Sequence, residues 1–66
     1  MGNERSGRHR APASQAINHQ TEALAALDES LACLHCGQFV EAGRCVCYAR
    51  RELRRANVLL SANRAA

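Results

Sequence analysis

Four cysteines fall within fifteen residues of a 66-residue chain, in the pattern C-x2-C-x8-C-x-C. A chain of this length buries only a small core, so a metal ion or crosslink in this window would contribute much of its stability. The spacing favours a single tetrahedral zinc site with four protein ligands and no open position for chemistry. The predicted ligands of one structural zinc ion are Cys33, Cys36, Cys45 and Cys47.

Both cysteine pairs suit such a site. A C-x2-C turn curls so that its two sulfurs face inward. In extended backbone the side chains of Cys45 and Cys47 leave on the same side and reach one ion. Residues 37–44 between the pairs allow a tight loop, and His35 is a reserve ligand. Disulfides and an iron–sulfur cluster remain open alternatives.

The N-terminal segment indicates the compartment. Residues 1–10 carry charge but are followed by no apolar stretch of the kind found in a secretory signal. We therefore expect a reducing, cytoplasmic location, which disfavours disulfides. Residues 1–13 lack apolar periodicity and contain Pro12, so we predict a disordered basic arm. The arm also matches a myristoylation pattern at Gly2, which is meaningful only in a eukaryote or its viruses.

Seven-residue repeats predict two helices. The first is expected over about 14–34, with Ser14 as its N-cap and Gly37 just past its end. Its columns at heptad spacing are Ile17, Leu24 and Leu31, and Gln20, Leu27 and Leu34. The second helix is expected over about 47–62, after a zinc loop at about 33–47. Its columns are Val46, Leu53 and Leu60, and Ala49 and Ala56.

These columns predict an all-α fold, a small antiparallel helical hairpin closed by a four-cysteine zinc knuckle and formed by residues 14–66. The large apolar columns are expected to form the contact between the helices, with the alanines letting the backbones approach. Without the ion such a hairpin would be marginal, so the metal is expected to set the turn.

The candidate nucleic-acid contact is an arginine cluster on the second helix. Its members, placed together by i, i+4 spacing, are Arg50, Arg51, Arg54 and Arg55. A helix with basic residues in its first turns is a recurrent way to contact nucleic-acid phosphates, and Arg44 in the loop can add to it. The alternative is that the arginines form ordinary surface salt bridges with Asp28 and Glu29.

Apolar residues outside the predicted contact favour a second kind of partner. Val58 and Leu59 fall off the columns of the second helix and would be buried by a larger protein or by a homodimer. Phe39 and Val40 are instead expected to pack around the zinc loop. We expect no enzyme activity and no small-molecule substrate, because no paired carboxylates, catalytic triad or phosphate-binding glycine loop is present. No apolar run is long enough to span a membrane.

The knuckle resembles that of the DksA/TraR zinc proteins. The resemblance rests on Leu31-Ala32-Cys33-Leu34-His35-Cys36-Gly37, followed by Arg44-Cys45-Val46-Cys47, after a leading helix. It implies a small bacterial or phage regulator of a protein machine such as RNA polymerase. The gap between the pairs is shorter here, the second pair is C-x-C, and a long helix follows. The sequence as a whole predicts a zinc-binding regulatory protein, active in transcription, that binds nucleic acid or a protein partner.

Overall fold

Two long helices joined by a short turn make up the described part of the chain. The computed structural model describes residues 11–65, with α1 at Ala11–His35, α2 at Phe39–Ala65 and no strand within that range. The predicted all-α helical hairpin is confirmed. Most of the predicted arm, including Gly2, lies outside the described residues, and residues 11–13 belong to α1 rather than to the arm.

Helix α1 begins earlier than predicted. Ser14 lies inside the helix and is not its N-cap, because the helix already begins at Ala11. Pro12 is compatible with this start, since the first helical turn needs no backbone N–H from it. The helix ends at His35, close to the predicted boundary at residue 34.

The turn is built around Gly37, which has a φ of 76°. The Gln38 N–H donates to the Cys33 carbonyl at 2.8 Å, and the Gly37 N–H donates to the Leu34 carbonyl at 3.0 Å. These two bonds form a Schellman motif, in which glycine takes the left-handed position at low cost. The prediction that Gly37 lies just past the end of the first helix is confirmed.

Helix α2 begins at Phe39 rather than near Cys47, and it ends at Ala65 rather than near residue 62. The predicted zinc loop at about 33–47 is therefore a short turn followed by helix. Gly43 does not prevent this, because a glycine inside a helix costs only about 1 kcal/mol. Phe39 and Val40 are exposed in the first turn of α2, so the prediction that they pack around a loop was wrong.

Small residues form the contact between the helices. They repeat every seven residues and are buried, and we call them the alanine seam: Ala16, Ala23 and Ser30 on α1, and Ala42, Ala49 and Ala56 on α2. The Ser30 hydroxyl donates to the Ala42 carbonyl at 3.2 Å and joins the two helices directly. No large apolar side chain is buried in the described part of the molecule.

The large apolar columns do not form this contact. Leu24 is 64% exposed and Leu53 is 43% exposed, whereas Ala23 is 1% exposed. The predicted contact was correct for Ala49 and Ala56 and wrong for the large residues. Side-chain size accounts for the difference, because the distance between packed helices depends on the side chains at their contact and small ones let the backbones approach closely.

Candidate functional site

Three members of the arginine cluster share one side of α2. Arg50, Arg51 and Arg54 line a shallow hollow of about 180 Å³ together with Cys47. Their spacing from Cys47, at i+3, i+4 and i+7, places all four on neighbouring turns of the same helix face. All three arginines are exposed, and none has a carboxylate within ion-pair distance among the described residues.

The other two predicted arginines are paired. Arg44 Nη1 lies 3.3 Å from Glu41 Oε2, and Arg55 Nη1 lies 3.0 Å from Glu52 Oε2. Both pairs are made within α2 at i, i+3 spacing. The alternative that the arginine cluster pairs with Asp28 and Glu29 on α1 is not found over residues 11–65.

The cysteines are distributed over different surfaces. Cys33 is buried at the turn end of the alanine seam, and Cys45, which is half-buried, lies near it. Cys36 is exposed in the turn, and Cys47 is exposed in the arginine-lined hollow. All four are free thiols.

This arrangement does not fit the predicted four-cysteine site. Cys45 and Cys47 lie in continuous helix, so their side chains leave in directions about 200° apart, whereas the prediction assumed extended backbone. No cluster of three or more His, Cys, Asp or Glu side chains suited to a metal ion occurs in the described range. The zinc ion itself stays a prediction.

The environment of Cys33 favours the neutral thiol. Burial raises the pKa of Cys33, and the nearby Cys45, Glu29 and Glu41 raise it further. Since metal binding and nucleophilic attack both use the thiolate, the surroundings of Cys33 suit packing rather than reactivity.

A buried carboxylate lies in the middle of the helix contact. Glu52 is 3% exposed, and its Oε1 lies 2.5 Å from the ring Nδ1 of His19. Because a carboxylate only accepts, the His19 ring carries a proton on Nδ1. Arg55 donates to the other oxygen of Glu52. The hydrogen bond from His19 lowers the pKa of Glu52, with a smaller contribution from Arg55, while burial acts in the opposite direction.

This polar site was not among the sites predicted from the sequence. A signal was present. Glu52 occupies a seven-residue column with Cys45 and Leu59, and His19 occupies one with Cys33. Polar residues in such columns meet the partner helix and not solvent.

A second polar contact crosses between the helices beside the seam. Tyr48 Oη donates to Glu22 Oε1 at 3.2 Å. Burial raises the pKa of Tyr48, and the charge of Glu22 raises it further. Tyr48 and Glu22 are the residues immediately before Ala49 and Ala23, so this contact defines one face of the hairpin, which we call the polar face.

The predicted apolar partner residues lie at a different place. Val58 and Leu59 line a hollow of about 310 Å³ with Gln15, His19 and Arg55. Val58 is 64% exposed, whereas Leu59 is half-buried next to the helix contact. The hollow is open, and the polar side chains of Gln15, His19 and Arg55 flank the two apolar residues.

Most of the exposed apolar surface belongs to the large columns. We call it the leucine face: Ile17, Leu24, Leu27, Leu31 and Leu34 on α1, and Phe39, Val46, Leu53 and Leu60 on α2. Its members are between 38% and 69% exposed. Contiguous apolar surface of this kind on a small protein usually marks an interaction site.

No known family model matches the chain, and no curated protein and no solved structure is significantly similar to it. Within residues 11–65, neither helix combines the length and hydropathy needed to cross a membrane.

Proposed function

We propose that the protein is a non-enzymatic regulatory protein that contacts nucleic-acid phosphates through its arginine cluster. The single observation that carries the proposal is the group of Arg50, Arg51 and Arg54, which face one hollow without carboxylate partners among the described residues. Arg44 and Arg55, by contrast, are paired with glutamates of the same helix.

Three such guanidinium groups on adjacent turns form a local positive field in a chain with a net charge of +3. Guanidinium groups bind phosphate oxygens in bidentate geometry, so a helix carrying them can follow a nucleic-acid backbone. The hairpin presents this helix face. The contacts Ser30 to Ala42 near the turn and His19 to Glu52 farther from it support an antiparallel arrangement.

The test measures binding to duplex DNA and to RNA at several salt concentrations. Arg50→Ala should weaken binding and make the slope of log K against log salt shallower by about one unit, since one phosphate contact is lost. Arg50→Ala with Arg54→Ala should change the slope by about two units. The effect should not depend on base sequence.

Arg44→Ala is the matched control, because it removes the same charge from the same helix at a position that is paired with Glu41. It should change the slope by much less than Arg50→Ala. Absence of binding by the wild type at low salt, or equal losses in Arg44→Ala and Arg50→Ala, would contradict the proposal.

The leucine face favours a second candidate function, a protein-interaction module that acts on a larger protein or on itself. Nine exposed large apolar residues on a chain of 66 are the supporting observation. Apolar association releases few counterions, so a protein that acts only through this face should show no steep salt dependence of binding to DNA or RNA. The same titrations therefore distinguish the two functions.

A further inference from the structure

We propose that the leucine face is covered by the leucine face of a second copy of this chain, which gives a four-helix homodimer. The inference rests on the second candidate function and names its partner. It does not depend on nucleic-acid binding by the arginine cluster.

The leucine face lies on one side of the hairpin, opposite the polar face. Positions 22 and 48, just before two seam alanines, meet each other through the Glu22–Tyr48 bond. Leu27 and Leu53 lie four residues after Ala23 and Ala49, so each helix turns them to the other side of the seam. The remaining members follow at spacings of three, four and seven residues and extend the same surface.

The face has the pattern of a helix-bundle core. Its members repeat every seven residues on both helices, the spacing that supports knobs-into-holes packing between helices. The three predicted columns through Ile17, Gln20 and Val46 contain nine positions. Eight of them hold large aliphatic residues of the leucine face, and the ninth holds Gln20, the only polar residue. No charged residue lies at these nine positions, which disfavours nucleic acid as the occupant.

The area matches what a stable dimer needs. If a fully exposed aliphatic side chain presents on the order of 100 Å², nine half-exposed residues present about 500 Å² of apolar surface. A standard interface buries about 800 Å² per partner, and about 65% of a homodimer interface is apolar. Since 65% of 800 Å² is about 520 Å², the leucine face supplies the apolar area that one partner of such a dimer buries.

The hairpin alone lacks a second layer. The Cα atoms span 49 × 26 × 11 Å, so the described part is one helix layer thick. Folded domains bury apolar faces between at least two layers, and the alanine seam buries only small side chains. A second copy supplies the missing layer.

Residues 1–10 are not suited to this role. Residues 1–10 contain one large apolar side chain, Met1, and three arginines. Such a segment is too polar to cover nine apolar residues. A second copy instead presents a surface of the same size and chemistry, as a two-fold symmetric interface requires.

The experiment is sedimentation equilibrium on the full chain, in reductant and free of nucleic acid. The wild type is expected to have twice the mass of the chain. Leu24→Asp should weaken the dimer on the order of a hundredfold, because it places an unpaired charge in the interface. Val58→Asp is the matched control, since Val58 and Leu24 are both 64% exposed but lie on different surfaces. It should change the dissociation constant by less than about threefold.

A second measurement does not depend on any variant that folds poorly. The thermal midpoint of the wild type, followed by circular dichroism, should rise with protein concentration, as for any obligate dimer. Gln20→Leu should tighten the dimer, because it completes an apolar column. A monomeric wild type with a midpoint independent of concentration would overturn the proposal. Equal effects of Leu24→Asp and Val58→Asp would also overturn it.

Discussion

The alanine seam and the leucine face carry the same seven-residue repeat on the same two helices, yet one is buried and the other is exposed. Ala23 is 1% exposed, and its neighbour Leu24 is 64% exposed. The two surfaces differ in side-chain size. Small side chains let the helix backbones approach each other, and large ones remain outside that contact.

The difference shows that the periodicity of a sequence and the hydrophobicity of its residues indicate different things about packing. The repeat says that a helix has a contact surface, but it does not say which partner each surface meets. In this chain the smaller residues serve the intramolecular contact. The larger residues, which would release more free energy on burial, remain exposed on the surface of the hairpin.

The largest expected effect comes from enlarging the seam. Ala23→Leu should destabilise the hairpin by about 1–3 kcal/mol, because the added atoms have no space between the backbones. Ala25→Leu is the control, since Ala25 is exposed on the same helix and should change stability by less than about 0.5 kcal/mol. Urea denaturation measures both. Equal stabilities would show that the seam is not tightly packed.

The next effect concerns the one charged residue that is buried in the helix contact of the described range. The pKa of Glu52 is lowered in the folded state, chiefly by His19, so its contribution to stability is fully present above the ordinary glutamate pKa of about 4.3. That contribution is lost as the pH falls through the lower folded-state pKa. Thermal midpoints of Glu52→Gln should be lower than those of the wild type near neutral pH and should fall less steeply in acid.

The matched control for this change is Glu41→Gln, because Glu41 pairs with an arginine at the same spacing but its side chain is 55% exposed. Its acid dependence should remain close to that of the wild type. A flat acid profile in the wild type would show that the Glu52–His19 pair does not form.

The alkylation rates of the cysteines test which thiols are buried at the end of the alanine seam. In the reduced protein, alkylation of Cys36 and Cys47 should be about tenfold or more faster than that of Cys33, because labelling of Cys33 requires local opening. Mass spectrometry of the peptides gives the order. If all four thiols bind one zinc ion, they should instead be protected together and released together by a chelator.

The smallest expected effects come from two glycines. Gly37→Ala should destabilise the hairpin by about 1 kcal/mol, because alanine is strained at a φ of 76°. Gly43→Ala should stabilise it by about 0.5–1 kcal/mol, since Gly43 lies inside α2 and an added Cβ would meet no neighbouring side chain within 4 Å. Chemical denaturation of both variants tests the turn. A neutral Gly37→Ala would mean that the Schellman motif does not hold the turn.

Some features of the fold were predictable from local signals. The two helices, the glycine that ends α1 and the seven-residue repeat all depend on residues close in sequence. The start of α2 was not predicted, because four clustered cysteines suggested a loop where the backbone continues as helix. The arginines were found from their spacing, but the division between the cluster in the hollow and the paired Arg44 and Arg55 was not.

The sequence by itself determined that this chain forms two helices around Gly37, because helix periodicity and the left-handed conformation of glycine are local properties. Only the tertiary structure decided that Ala23 rather than Leu24 meets the other helix, that Glu52 is buried against His19, and that Cys45 and Cys47 face different surfaces. Those outcomes depend on how closely two backbones approach across a short turn, a distance that no single helix specifies.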